Sequence, residues 1–305
     1  MMDNREMGQG LVTIAIPAYK RKWLNEAIES ALAQDYSNIE LIIVDDHSPQ
    51  NLKEIVEPYL ADKRVSYYYN EINVGKESVA NNWNRCLEYS RGEFFVLLCD
   101  DDVLMPNFVS TLLCLAQKFP QCNIFHGNRM FYYEKTGSTE VLESWPEYES
   151  FDEFVRAKSE VKRKHTITEF LYRSRSIVAE KYIVFPVAYF SDDASILRVV
   201  KDGGIASSKE PVCKIRISDE QISSAGKYAV EKFKATLMYY DWYKTFIVPP
   251  KSPQVIKNEI DDWAYRFYSE TTLINKIRIL SMVPNFVWPL KQKMVLFLKA
   301  FFNRH

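Results

Sequence analysis

Two groups of aspartates carry the clearest chemical potential in this sequence. The pair Asp45-Asp46 follows the apolar run Ile39–Val44, and the triplet at residues 100–102 follows the apolar run Phe94–Cys99. Adjacent carboxylates about 5 Å apart repel each other by roughly 3 kcal/mol at an effective dielectric near 20. Mg²⁺ or Mn²⁺ would offset this repulsion, because both ions prefer carboxylate oxygens and complete their shells with water and phosphate. An isolated Asp triplet is also typical of a solvated loop or a helix start. Its position in the chain therefore has to distinguish a metal site from these structural roles.

The elements around the aspartates predict a sheet covered by helices. Short apolar runs alternate with amphipathic segments, and the runs predict buried strands over Leu11–Pro17, Ile39–Val44, Val65–Tyr69 and Phe94–Cys99. Helical spacing follows the first run, and two more helices are predicted from Ser48-Pro49 to Tyr59 and over Lys76–Ser90. In such α/β sheets, ligands bind outside the carboxyl ends of the strands. Both aspartate groups follow predicted strand ends.

After Phe125 the alternation loosens. The sequence predicts a hairpin around Arg129–Thr139, a polar region through Lys164, a helix over Asp192–Lys201 stopped by Gly203-Gly204, a strand over Val212–Ile217, and a helix over Lys227–Ile247 ended by Pro249-Pro250. The expected organisation is therefore an α/β domain over residues 1–218 followed by a helical extension over residues 219–305.

Four segments resemble the glycosyltransferase family 2 enzymes of the GT-A fold, in the family's order and with its spacing. They are VTIAIPAYKR at 12–21, LIIVDDHS at 41–48, NVGKESVANNWNRCLEYSRGEFFVLLCDDDVLMP at 73–106 and FSDDASILRVVKDGG at 190–204. The resemblance implies an α/β fold of GT-A type, with a mostly parallel central sheet flanked by helices and a C-terminal helical extension. It also implies that residues 1–218 bind a nucleotide-sugar and carry out catalysis.

The resemblance implies a nucleotide pocket at the first two strand ends. Pro17, Ala18 and Tyr19 would line it, with Tyr19 against a uracil ring. Asp46 would accept a hydrogen bond from the uracil imide N–H. The alternative for Asp45 and Asp46 is capping of the helix expected near Ser48, and we expect one of the two to do this.

The triplet resembles the family's Asp-x-Asp segment. The resemblance makes Asp100 the ribose or metal contact and makes Asp101 or Asp102 the ligand of Mn²⁺ or Mg²⁺. Cys99 stands where the family has its first aspartate, so the position of the metal ligand is uncertain by one residue, between Asp101 and Asp102.

Arg216 resembles a family residue near the diphosphate of the donor. The alternative is a surface arginine on an edge strand. Many family members have a histidine where Ser218 stands, so a third metal ligand is not expected here.

Asp192 and Asp193 resemble the acidic pair that supplies the family's catalytic base. We favour Asp192, which fits the family spacing to Arg198 and Gly203, and keep Asp193 as the alternative. Ordinary capping of the following helix is the structural interpretation of the pair. A base takes the proton of the attacking hydroxyl, and a metal stabilises the departing diphosphate. A single displacement with one base inverts the anomeric centre, so the resemblance implies inverting transfer from a UDP-sugar to a saccharide or lipid-linked saccharide acceptor, in polysaccharide or glycolipid assembly.

Three other functions fit the sequence less well than this hypothesis. A sugar-1-phosphate nucleotidyltransferase normally has a Gly-rich loop after its first strand, whereas residues 18–21 contain no glycine. A phospho-signalling receiver places its acidic pair after the first strand and has a much shorter chain. A non-catalytic nucleotide-sugar binder would not need the pair Asp192-Asp193.

The remaining polar candidates favour structural roles. His126 and His165 lack metal-like spacing, and Trp145 is expected in the core rather than stacked on a sugar. The five cysteines contain no C-x-x-C pair and lie in apolar runs, which is typical of reduced core thiols in a cytosolic protein and does not favour a metal-thiolate site.

Charge distinguishes the C-terminal segment from the rest of the chain. The net charge of −1 does not favour a nucleic-acid partner. Residues 271–305 hold no acid and six bases, so 33 cations face 40 anions before them. The bases are Lys276, Arg278, Lys291, Lys293, Lys299 and Arg304. This segment, with its interspersed Trp, Phe and Leu, is expected either to contact an anionic membrane surface or to pack on this domain or on a second copy of the chain.

Two segments, one at the start of the chain and one near its end, bear on where in the cell the protein is expected. The opening residues MMDNREMGQG lack the apolar stretch of a signal peptide. The charge-free segment Ile279–Leu290 has 12 residues and two prolines, and as a helix it would reach about 18 Å against a bilayer core of about 30 Å. The expected location is the cytoplasm, with the inner face of the membrane as the site of any peripheral association.

Overall fold

The computed structural model describes residues 7–219, 227–248 and 251–302, without the side chains of residues 301 and 302. The chain divides into two compact units. The first is Met1–Ile183 with Ser195–Ser218, and the second is Val184–Ala194 with Asp219–His305. The expected domains at 1–218 and 219–305 stay a prediction.

A mixed sheet forms the first unit. Its strands are β1 Gly8–Ala18, β2 Ile39–Asp45, β3 Val65–Tyr69, β4 Gly92–Leu97, β5 Val103–Leu104, β6 Ile124–Tyr133, β7 Ser138–Val141, β8 Tyr148–Glu149, β9 Phe170–Arg173 and β10 Ile205–Ile217. The strand order is β3-β2-β1-β4-β9-β6-β10-β5, with β7 beside β6 and β8 beside β10. The pairs within β3-β2-β1-β4 are parallel, as is β6 with β10. Strand β9 is antiparallel to both β4 and β6.

Helices cover this sheet. They are α1 Leu24–Leu32, α2 Leu52–Val56, α3 Ala80–Tyr89, α4 Phe108–Lys118, α5 Phe151–Ser159, α6 Ser174–Glu180 and α7 Ser191–Val200, the last of which begins in the second unit. Short 3-10 turns lie at Glu57–Ala61, Ile167–Glu169 and Pro186–Ala188. Strand β2 is buried at all seven positions, as a central parallel strand covered on both faces should be. This agrees with the apolar run that predicted it.

The parallel register aligns the strand ends that carry the aspartates. Ala18 pairs with Asp45, and Asp45 pairs with Tyr69. Ala15 pairs with Leu97 on the other side of β1. The carboxyl ends of β1, β2 and β4 therefore meet at one edge of the sheet.

Three expected boundaries were wrong, and one helix was not expected. The helix expected from Ser48-Pro49 begins at Leu52, after Asn51 in a left-handed conformation with φ of 48°. The helix expected over Lys76–Ser90 begins only at Ala80. The polar region through Lys164 contains α5, whose start is stabilised by a capping box between Ser150 and Glu153. Strand β10 begins at Ile205, well before Val212.

The second unit is helical. Its helices are α8 Ala229–Phe246, α9 Pro253–Ser269, α10 Leu273–Met282 and α11 Leu290–Phe302. Aromatic side chains pack within this unit: Phe190 stacks on Tyr239 of α8 with ring centroids 4.5 Å apart, and the buried Trp288 indole donates to Asp261 of α9. Pro249-Pro250 and Arg304, which entered the sequence expectations, lie outside the described residues. Within the described ranges, no helix combines the length and the apolar character that crossing a bilayer requires.

Candidate active site

The loop after β1 is tied to the aspartate triplet. Asp100 accepts hydrogen bonds from the backbone N–H groups of Tyr19 at 2.8 Å and Lys20 at 2.7 Å. The Ser48 hydroxyl donates to the Tyr19 carbonyl at 2.6 Å. The Tyr19 side chain is 41% exposed, which leaves its ring free to contact a ligand. Hydrogen bonds between side chains and backbone groups thus join the ends of β1, β2 and β4. Asp100 accepts two of them and holds the loop after β1 in place.

The pair after β2 holds two neighbouring loops. Asp45 accepts from the Ser48 backbone N–H at 2.8 Å and from the Tyr67 hydroxyl at 2.6 Å. Burial and this carboxylate raise the pKa of Tyr67. The expectation that one aspartate caps a helix near Ser48 was wrong, because Asp45 stabilises a turn and the helix starts at Leu52. Its hydrogen bond reaches the backbone N–H three residues further along the chain and closes the turn after β2.

Asp46 is buried and its carboxylate is already engaged. It accepts from the Asn70 amide and the Val74 backbone N–H, both at 2.9 Å, and from the Gly75 backbone N–H at 2.7 Å. A Cβ on Gly75 would lie 2.5 Å from an Asp46 oxygen, so this approach requires glycine. A carboxylate oxygen can accept more than one hydrogen bond, so the predicted contact of Asp46 to a uracil N–H stays a prediction.

Cys99, Asp101 and Asp102 form a group of potential metal ligands. One donor atom of each lies within 4.8 Å of the others. In the described part of the chain this is the one group of three or more His, Cys, Asp or Glu side chains so arranged. Two buried carboxylates fit a hard divalent cation such as Mg²⁺ or Mn²⁺. The sequence allowed either Asp101 or Asp102 to be the metal ligand, and both residues belong to this group.

Two hydrogen bonds hold the Asp102 carboxylate in place. It accepts from the Thr168 hydroxyl at 2.6 Å and from the Arg216 backbone N–H at 3.0 Å. Burial and the neighbouring Asp101 carboxylate raise its pKa to about 8. Burial also raises the pKa of Asp100, against the opposing charge of Lys20. Without a divalent cation, this cluster resists carrying its full negative charge.

Lys20 is a site residue that the sequence analysis missed. Its ammonium pairs with the Asp101 carboxylate and lies 3.4 Å from an Asp100 oxygen. The signal was present in the sequence, since Lys20 directly follows Tyr19 as the first of three consecutive basic residues in the loop that faces three carboxylates. The cation expected to offset their repulsion was an external metal ion, whereas a lysine of the chain itself lies there.

Arg216 is buried and contacts the backbone of the aspartate triplet. The surface alternative was wrong, because Arg216 is 5% exposed and β10 lies between β6 and β5. Its Nε donates to the Asp101 carbonyl at 3.0 Å, and its guanidinium pairs with Glu26 at 2.6 Å. The same group lies 5.0 Å from the Trp23 ring centroid. Arg216 therefore supports the backbone of the triplet, and its contact to a diphosphate stays a prediction.

Asp192 and Asp193 lie in the first turn of α7, half-buried. The helix begins at Ser191, so both residues are inside the first turn rather than before it. Carboxylates in this turn interact favourably with the helix dipole. The structure places them in the second unit, whereas the residues at the sheet edge belong to the first. Their role as base stays a prediction.

A buried polar cluster lies next to Thr168 in the chain. Glu169 pairs with His126 at 3.1 Å and with Arg129 at 3.0 Å, all three side chains being almost completely buried. Trp145 stacks on His126 at 3.7 Å. The core placement of His126 and Trp145 is thereby confirmed. The cysteines agree less well with the expectation of core thiols, because Cys114 is exposed.

We expect Glu169→Gln to change how stability depends on pH. Burial raises the pKa of Glu169 to about 7, so the folded protein keeps a proton that the unfolded chain, with a value of 4.5, releases. The resulting stability is present below about pH 4.5 and is lost as the pH rises through 7. Chemical denaturation at pH 5 and pH 8.5 should show that wild type loses about 2–3 kcal/mol more than the variant over this interval.

His126 provides the reason for comparing two proteins rather than one. Burial lowers the pKa of His126, which removes stability as the pH falls through 6.5, and both proteins contain this residue. The difference between them reports on Glu169 together with its direct contact to His126. Parallel pH profiles would show that Glu169 is ionised in the folded protein.

The comparisons with known proteins agree with this fold. A family model of glycosyl transferase family 2 matches residues 13–180, more than half of the sequence. The chain belongs to this family. It has the GT-A fold, as in the solved structure of Staphylococcus aureus TarS 1–349 in complex with UDP-GlcNAc, which it matches with a TM-score of 0.63 at 14% identity over 95% of this chain and 81% of that one.

Two curated relatives are similar to part of this chain. Glycosyltransferase GlyG of Streptococcus pneumoniae is 32% identical over 130 residues, which are 42% of each chain. The putative colanic acid biosynthesis glycosyl transferase WcaA of Escherichia coli is 39% identical over 111 residues, 35% of this chain and 38% of that one. The matched segment spans about two fifths of the length of these relatives.

Proposed function

We propose that the chain is an inverting, metal-dependent glycosyltransferase that moves a sugar from a UDP-sugar to a hydroxyl acceptor in polysaccharide or glycolipid assembly. The observation that carries this proposal is the Cys99-Asp101-Asp102 group, with both carboxylates buried, at the edge where β1, β2 and β4 end. TarS, which shares the fold, is described in complex with UDP-GlcNAc, and WcaA is named for colanic acid biosynthesis. Both descriptions support the proposed donor and pathway class.

The residues at the sheet edge have distinct roles in this proposal. Pro17 and Tyr19 contact the nucleotide base, with the buried Ala18 supporting them from the core at the end of β1, and Asp46 accepts from the base. Asp100 and Arg216 act on the ribose and diphosphate side. The tight backbone contacts of Asp100 and Asp46 fix this pocket before a ligand arrives, which reduces the entropy lost on binding.

Asp101 and Asp102 would hold Mn²⁺ or Mg²⁺. When bound, the ion neutralises negative charge that develops on the departing diphosphate. Asp192, or Asp193 in its place, accepts the proton of the acceptor hydroxyl while the oxygen of that hydroxyl attacks the anomeric carbon. Attack on the face opposite the leaving group inverts that carbon in one step.

A donor panel tests the proposed activity. Purified protein with Mn²⁺ should release UDP from at least one UDP-sugar in the presence of a saccharide acceptor, and EDTA should stop the release. NMR of the product should show the anomeric configuration opposite to that of the donor. Formation of nucleotide-sugar and pyrophosphate from a nucleoside triphosphate and a sugar-1-phosphate would instead identify a nucleotidyltransferase.

We further propose that the C-terminal helices contact an anionic membrane surface. None of residues 290–299 is buried, and several large apolar side chains of α10 and α11 and the segment between them are 39–67% exposed. They are Ile274, Ile277, Phe286, Leu290, Met294, Val295, Phe297 and Leu298. Lys291 and Lys299 are exposed beside them on α11. Apolar and basic side chains together on exposed helices are typical of interfacial segments.

We expect full-length protein to co-sediment with anionic vesicles more than with neutral ones. Each basic residue near the surface contributes up to about 1 kcal/mol, and salt screens this term while the apolar term persists. Replacing Met294 and Leu298 by serine should reduce binding at high salt, and Lys291→Gln should reduce it mainly at low salt.

These substitutions are a sharper test than truncation near Glu270. Truncation would remove the buried Trp288 from α9, where its indole donates to Asp261. Equal vesicle binding by wild type and the serine variant would contradict the membrane proposal. Loss of self-association in that variant, measured by sedimentation velocity, would assign the same apolar surface to a homo-oligomer.

A further inference from the structure

Lys20 occupies the acidic cluster from within the chain. Its ammonium pairs with the Asp101 carboxylate, and its distance to the nearer Asp100 oxygen is 3.4 Å. The two carboxylates are 10% and 6% exposed, and the lysine side chain is 25% exposed. A cation of this chain therefore already neutralises the residue to which the proposed function assigns the metal.

An ammonium and a divalent ion compete for such a carboxylate. Asp101 belongs to the group whose donor atoms lie within 4.8 Å of one another, so an ion there would lie a few ångströms from the position that the ammonium now takes. Two cations that close repel strongly in a partly buried site. Binding of the ion requires the ammonium to move.

We propose that Lys20 is a built-in counter-ion of this site, which a divalent cation displaces and which then binds the diphosphate of the donor. The proposal rests on the proposed metal site. It adds that the protein holds its aspartate cluster folded without metal, and that metal and nucleoside diphosphate bind cooperatively.

The backbone geometry permits this exchange. The Lys20 N–H is fixed by Asp100 at 2.7 Å, and the preceding Tyr19 N–H is fixed by the same oxygen at 2.8 Å. The start of the side chain is therefore anchored in the loop proposed to line the nucleotide pocket, while its four-carbon stem can turn. Anionic phosphate oxygens are a natural second partner for the displaced ammonium. A diphosphate thus offsets the loss of the contact to Asp101, which makes the two binding events mutually favourable.

Isothermal titration of Mn²⁺ tests the proposal without measuring activity. Lys20→Gln should bind Mn²⁺ at least tenfold more tightly than wild type in the absence of nucleotide. Saturating UDP should strengthen Mn²⁺ binding by a larger factor in wild type than in Lys20→Gln. Lys20→Arg, which keeps the charge, should resemble wild type.

Lys22→Gln is the matched control. Lys22 lies two residues along the same loop, pairs with Glu134 at 2.8 Å and lies 4.3 Å from the Trp23 ring centroid. Its loss removes the same charge a short distance away, so the dissociation constant for Mn²⁺ should change by less than about threefold.

The outcomes separate this proposal from the metal site itself. Equal Mn²⁺ affinity in wild type and Lys20→Gln contradicts the role of Lys20 alone. No Mn²⁺ binding by any of these proteins, with or without UDP, contradicts the metal site and the Lys20 proposal together. If Lys20→Gln unfolds without metal, Mn²⁺ should restore its folding at concentrations that leave the thermal midpoint of wild type unchanged, and failure to do so contradicts the proposal.

Discussion

Asp101→Asn is expected to keep its fold and to lose sugar transfer by roughly 10²-fold or more, the usual effect of removing one electrostatic contact to a developing charge. A neutral amide cannot balance a divalent ion that carries a diphosphate. The contact from Asp101 to Arg216 uses the backbone carbonyl, which the substitution preserves. Initial rates of UDP release with Mn²⁺, compared with a circular dichroism melt, measure the two effects separately.

Asp102→Asn has to be measured beside Asp101→Asn, because the sequence allows either residue to be the metal ligand. Here we expect a loss of stability as well, since Asp102 holds both Thr168 and the Arg216 backbone N–H in a buried position. Asp152→Asn, on the exposed side of α5, is the control for removing a carboxylate elsewhere. Unchanged activity of Asp101→Asn, with EDTA harmless to wild type, would show that the reaction needs no metal at this residue.

The central strands could be predicted because burial on both faces leaves a clear mark on the sequence. The runs that predicted β1, β2 and β4 are almost wholly apolar, and the aspartates that follow them mark the ligand edge. The length of these runs is short enough to exclude a buried helix. The family motifs then fixed the order of the elements.

Helix starts were harder to predict, because local capping signals compete with contacts distant in sequence. Ser48-Pro49 has the composition of a helix start. In the structure the Ser48 hydroxyl donates to the Tyr19 carbonyl across the sheet edge, and Asp45 fixes the turn before it. These contacts delay the helix to Leu52. No local pattern could reveal them.

The same limit applies to the residues that support the site. Thr168 holds Asp102 across 66 positions of sequence, and Lys20 meets Asp101 across 81. Strand β9, only four residues long, lies antiparallel between β4 and β6, and its short sequence does not determine this position in the sheet. Side chains that act through such distant contacts become visible only when the sheet order is known.

Asp192→Asn is expected to separate binding from chemistry. In the proposed mechanism this residue acts on the acceptor hydroxyl and not on the nucleotide. The dissociation constant for UDP, measured by titration calorimetry, should therefore stay near that of wild type. The transfer rate at saturating donor should fall by roughly 10²–10⁴, the usual contribution of a general base.

Asp193→Asn is the matched control, since both residues lie in the first turn of α7 and both are half-buried. Each substitution removes one carboxylate from a helix start, which costs about 0.3–1 kcal/mol in either case, so stability does not distinguish them. Only the residue that takes the proton should show the large loss of rate. A loss confined to Asp193→Asn would move the base by one residue, and full transfer by both variants would contradict inversion through this acidic pair.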